Sequence, residues 1–141
     1  MWERPCSYGN YIIKSTNAGN SWFDLNLPTN NGNEWASLAW HALAIEVAPD
    51  NPENVFIGGL ELYRSLDGGN VWENLSDWAG MYSGGGDRYV HADIHQVAFQ
   101  PYNSNSIAVT SDGGVFFSNN ALDLTDPIFI ERNQGYNTLQ F

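Results

Sequence analysis

Ser15-Thr16-Asn17-Ala18-Gly19-Asn20-Ser21-Trp22 and Ser65-Leu66-Asp67-Gly68-Gly69-Asn70-Val71-Trp72 are two copies of one turn, with their serines 50 residues apart. Each copy follows a short apolar run that contains a tyrosine, Tyr11-Ile12-Ile13-Lys14 or Leu60-Glu61-Leu62-Tyr63-Arg64, and leads into polar-apolar alternation. Strand, turn and strand recurring at about 50 residues mark a β-repeat architecture. Asn17 or Asp67 at the third position is suited to bond its own backbone two residues on, and Gly19 or Gly69 can take the positive φ of a tight hairpin. Trp22 and Trp72 open the returning strand, where a buried indole covers well over ~100 Å².

Working outward, Leu43 to Gly59 aligns with His95 to Val109, with Pro49 and Pro101 in equivalent places. Each is read as strand, Pro/Asn turn and strand. Thr110-Ser111-Asp112-Gly113-Gly114-Val115-Phe116-Phe117-Ser118 then parallels Gly58 to Ser65 with one residue inserted. Here the turn is expected to have decayed, because Asn119-Asn120-Ala121-Leu122-Asp123 supplies neither the glycine nor the tryptophan. Four short strands in about 50 residues is the size of a β-propeller blade.

The repeated turn resembles the Asp-box (BNR) repeat of sialidases, sortilin-type receptors and xyloglucanase-type glycoside hydrolases, whose pattern runs Ser/Thr-x-Asp-x-Gly-x-Thr/Ser-Trp. Asn17 departs from that pattern in the first copy and Val71 in the second. The resemblance implies an all-β propeller segment of four-stranded antiparallel blades, in which Ser15, Asn17, Gly19, Trp22, Ser65, Asp67, Gly69 and Trp72 hold blades together and are not catalytic. It divides residues 1–141 into a partial blade over about 1–27, blades over about 40–77 and 91–133, and the first strand of a further blade at 136–141. Because a propeller closes with four to eight blades, the chain is read as a piece of a longer parent. The other expectation is self-association, with Gln140-Phe141 closing against N-terminal strands and two chains supplying six blades.

Composition agrees with β structure. Aromatic residues make up 14% of the 141, no stretch keeps a helical period, and no 18-residue apolar segment spans a membrane. The net charge of -11 and a single lysine, Lys14, argue against a nucleic-acid surface. Only 15% of residues are charged, which suits the amide- and hydroxyl-rich surface of an exported or cell-surface protein, although Met1 to Cys6 lacks the basic start of a signal peptide. Cys6 stands alone, so no intrachain disulfide forms.

Three places are candidates for chemistry. In His91-Ala92-Asp93-Ile94-His95, a strand period would put His91, Asp93 and His95 on one face about 7 Å apart, a possible metal set; the plainer reading is a polar inner strand, since His41 stands at the position aligned with Asp93. Asp112 in Ser111-Asp112-Gly113-Gly114 resembles the setting of a catalytic aspartate in xyloglucanase-type hydrolases, less one intervening residue; alternatively it caps a bulged turn. Only one carboxylate of the required pair is visible in the sequence. The segment Asp77 to Val90 exceeds the usual loop length, and Trp78, Met81 and Tyr82 in it would form an apolar platform for a sugar or peptide, or else fold back on the sheets. Arg4, Arg64, Arg88 and Arg132 are too scattered for a sialidase carboxylate pocket. The resulting expectation is a non-catalytic recognition or structural scaffold that binds carbohydrate or protein and needs no cofactor, with a glycoside hydrolase using Asp112 as the alternative.

Overall fold

The computed structural model describes residues 11–30 and 33–135, so Arg4, Cys6 and the strand expected at 136–141 lie outside the described residues. The chain is all-β. Strands β1 (Ile13–Lys14) and β2 (Phe23–Asp24) form a short ribbon, as do β3 (Thr29–Asn30) and β4 (Asn33–Glu34). Strands β5 (Ala44–Val47), β6 (Val55–Gly58), β7 (Leu62–Ser65) and β8 (Glu73–Asn74) make a four-stranded antiparallel meander. A second meander follows from β9 (Ile94–Gln100), β10 (Asn103–Ser111), β11 (Gly114–Ser118) and β12 (Ile130–Glu131). One 3-10 turn, Trp78–Tyr82, lies between the meanders, and no helix among the described residues is long and apolar enough to cross a membrane.

Every residue of β6 and β7 is buried, because both faces of their sheet are covered. Phe56, Leu62 and Leu75 face the second meander, where they join Ile94, Val97, Ile107, Val109 and Phe116 in one core. Val55, Ile57 and Tyr63 point the other way and pack with Ile12, Trp35 and Ala36. This is strand alternation with two apolar partners instead of one. At Gly58 the sheets approach closely: a methyl group there would overlap the Ile94 side chain, and Ile94 N–H donates to the Gly59 carbonyl at 2.7 Å.

The repeated turns are hydrogen-bonded alike, although not in the expected way. The serine, not the Asx residue, closes the two-residue step: Ser15 Oγ accepts from Asn17 N–H at 3.3 Å and Gly19 N–H at 2.8 Å, and Ser65 Oγ from Asp67 N–H at 3.3 Å and Gly69 N–H at 2.8 Å. The Asx oxygen reaches further, accepting from Ser21 N–H in one copy and from Asn70 and Val71 N–H in the other. These amides, led by that of Val71, hold the exposed Asp67 carboxyl below the usual carboxylate range. Gly19 and Gly69 have φ of 85° and 97°, as a tight turn requires.

Two expectations are corrected. The third turn keeps its polar half without glycine or tryptophan: Ser118 Oγ donates to Asn120 Oδ1 at 3.0 Å, and that oxygen accepts from Ile128 N–H at 2.9 Å across an inserted loop. The tryptophans are also less buried than the turn implied. Trp22 is 59% exposed and folds onto its own turn, donating to Gly19 O, because no sheet among the described residues lies over it. Trp72 is half-buried, packs beside the Ile12 and Val55 core, and donates to Asn26 O at 2.8 Å.

Candidate functional site

Three segments converge at one end of the sheets. Asp112 and Gly113 form the tip of the β10–β11 hairpin, which Ser111 and Gly114 close as a pair. Asp112 N–H donates to the Asp93 carbonyl at 3.3 Å, which ties this tip to the start of β9. His41 lies in the turn that precedes β5.

The register of β9 decides where His95 points. Gln96 pairs with Thr110 and Ile94 with Ser111, so His95 is an extra residue in β9, a β-bulge. Simple alternation would put Ile94 and Gln96 on the core face. Instead Ile94 and Val97 are buried, while His95 and Gln96 both face outward. The bulge turns the His95 imidazole over the hairpin tip, where its Nε2 lies 2.6 Å from Asp112 Oδ1. His41 Nε2 lies 3.4 Å from the same oxygen, and the two imidazoles stand edge to face with centroids 5.0 Å apart. The three side chains are 30%, 35% and 18% exposed for His41, His95 and Asp112, accessible from solvent yet held in place.

The expected single face of His91, Asp93 and His95 does not form. β9 begins only at Ile94, and Asp93 has φ of 64°, which breaks the two-residue period before the strand starts. His91 packs over Gly113, and its Nδ1 lies 3.2 Å from the Ala92 carbonyl oxygen. Asp93 stays close enough to feel the charges of Asp112, His41, His95 and His91, and its Oδ1 is buried with no hydrogen-bond partner among the described residues. His95 is therefore grouped with His41 and Asp112, and each of the three offers a ligand atom within 4.8 Å of the others. His41 is the member that sequence reasoning passed over. Its alignment with Asp93 was the available signal, since equivalent positions in successive sheets come to lie near one another.

The two aspartates are pushed in opposite directions. Burial works to raise the Asp112 pKa, but the hydrogen bonds and charge of His95 and His41 outweigh it, and its carboxyl is held below the ordinary value. Burial and then the negative charge of Asp112 raise the Asp93 carboxyl, against the pull of the three histidines.

The Trp78, Met81 and Tyr82 segment forms the 3-10 turn, opened by Asp77, whose side chain accepts from Ala79 N–H. Trp78 and Tyr82 meet edge to face at 5.9 Å, and Tyr82 is 79% exposed. The neighbouring cleft of roughly 610 Å³ is lined by Gly80, Arg88, Tyr89, Asn120, Asp126 and Ile128 among others, not by these three side chains. In an adjacent cleft that shares Asp77, Arg88 and Asp126, the buried Glu61 carboxyl accepts from Ser76 Oγ and from Trp78 N–H.

Comparison with protein-family models, curated proteins and solved structures finds no match to this chain.

Proposed function

We propose that the two meanders are blades of a propeller joined by Asp-box turns, and that the chain is a recognition scaffold for carbohydrate or protein in a secreted or surface-attached protein. The observation that carries this reading is the recurrence of one Ser-Asx hydrogen-bond pattern at Ser15, Ser65 and Ser118, each at the end of a strand of a separate antiparallel sheet. The remaining blades come from a longer parent chain or from other copies. The ligand surface is the Trp78 and Tyr82 pair with Met81, which is 41% exposed, because the 79%-exposed Tyr82, braced edge to face by Trp78 on a capped turn, offers an aromatic face to a sugar ring. Affinity electrophoresis against a panel of soluble β-glucans tests it: Tyr82→Ala should abolish retardation by whichever glucan retards the parent. Retardation unchanged by that substitution removes the platform from the reading.

A second reading is favoured by one observation, the opposed shifts of Asp112 and Asp93. One carboxyl pKa pushed down beside another pushed up is the direction of split that glycoside hydrolysis uses for base or nucleophile and acid. Xyloglucan hydrolysis lost in Asp112→Asn would favour this enzyme over the scaffold.

A further inference from the structure

We propose that His41, His95 and Asp112 form a binding site for a divalent transition-metal ion of the Zn²⁺ type. Two imidazoles and one carboxylate from three separate chain segments are brought together, with ligand atoms within 4.8 Å of one another. A tetrahedral ion with bonds of about 2.0–2.1 Å holds its ligand atoms about 3.3–3.4 Å apart. The His41 to Asp112 separation of 3.4 Å already meets that spacing. The His95 to Asp112 contact of 2.6 Å needs to open by roughly 0.7 Å, a small movement for side chains on a bulge and a hairpin tip.

Two further observations bear on the choice of ligand. The bulge at His95 forfeits a regular step of the β9–β10 pairing in order to aim that imidazole, and such irregularities characteristically re-aim a side chain at a site. Asp93, whose carbonyl accepts from Asp112 N–H at 3.3 Å, has a buried Oδ1 with no hydrogen-bond partner among the described residues, an acceptor left over next to the three ligands. An N₂O donor set without thiolate suits Zn²⁺, Co²⁺ or Fe²⁺ better than the all-oxygen ions Mg²⁺ or Ca²⁺. Three protein ligands leave a coordination position for water or for a ligand oxygen.

The chain has three histidines, so the site is easily isolated by experiment. Zn²⁺ is titrated calorimetrically into the full chain after chelator treatment, and Co²⁺ is followed by its visible absorption. One equivalent should bind. The double change His41→Gln with His95→Gln should weaken it at least ~100-fold, since loss of outer partners alone costs about 10–100-fold. His91→Gln should bind as the parent does. In the unmodified chain, Zn²⁺ should shift the imidazole ring-proton signals of two histidines and spare the third, a result that needs no variant to fold. Absence of binding at millimolar Zn²⁺, equal binding by the double variant, or loss of binding in His91→Gln would each overturn the proposal.

Discussion

The guanidinium of Arg64, fully buried on β7, donates a 2.6 Å hydrogen bond to the carbonyl of Ala121 in the loop after β11. A second bond of 2.8 Å goes to the Asp123 carbonyl, and the other terminal nitrogen pairs with Glu73 at 2.5 Å. One side chain thus joins the two four-stranded sheets. It also satisfies carbonyls of the inserted loop in the third turn, where the missing tryptophan offers no packing. Arg64→Met should destabilise the chain by about 2–4 kcal/mol, because two carbonyls and part of an ion pair lose their partner inside the protein. Urea unfolding measures it, and a cost below 1 kcal/mol would contradict the bridging role.

The third turn should behave like the second. Ser118→Ala removes the donor to Asn120 and the acceptor of its backbone N–H, as Ser65→Ala would for Asp67. Each should cost about 1–2 kcal/mol, the range of a lost cap. Asn120→Asp keeps the Oδ1 acceptor that Asp67 supplies in the second turn but loses the Nδ2 bond to the Asp126 carbonyl, so it should cost about 0.5–1.5 kcal/mol. If Ser118→Ala is neutral in thermal melts while Ser65→Ala is not, the third turn does not act as a lock.

The two tryptophans should differ. A fully buried tryptophan costs about 3–5 kcal/mol when cut to alanine. Half-burial brings Trp72→Ala to about 1.5–2.5 kcal/mol, with a further contribution from its bond to Asn26. Trp22→Ala should fall under about 1 kcal/mol, as it packs mainly on its own turn. The order of the two losses in chemical unfolding is the check.

Stability should also carry the signature of Glu61. Burial raises its carboxyl above the ordinary value, against hydrogen bonds from Ser76 and Trp78 N–H, so the folded chain keeps this proton to higher pH than the unfolded chain. The contribution is therefore full below the ordinary carboxylate pKa and declines as pH rises through the raised value. Plotted against pH, the stability of the parent minus that of Glu61→Gln should fall across this window and level off above it. A rising difference would mean that the carboxylate is better solvated in the fold than outside it.

Much of the architecture was legible in the chain itself. The paired turns, the two prolines and the alternating runs mark β5 to β11 as strands and place the hairpins, because turn chemistry and strand period are local properties. The strength of the third turn was not legible. Its glycine and tryptophan are gone, and what replaces them is Arg64, 57 residues before Ala121. Nor was the burial of Trp22 and Trp72, which depends on what lies over them.

The candidate site divides along the same line. Sequence alone set His91, Asp93 and His95 on one strand and Asp112 in the separate Ser111-Asp112-Gly113-Gly114 turn, with nothing to join the two. Only the tertiary structure decided which of them meet. One extra residue in β9 reverses the face of every side chain beyond it, and the positive φ of Asp93 breaks the period before the strand begins. Strand alternation is a sound guide only while the ladder stays in register. Here the ladder slips at His95, and that slip brings together His95, Asp112 and the sequence-distant His41.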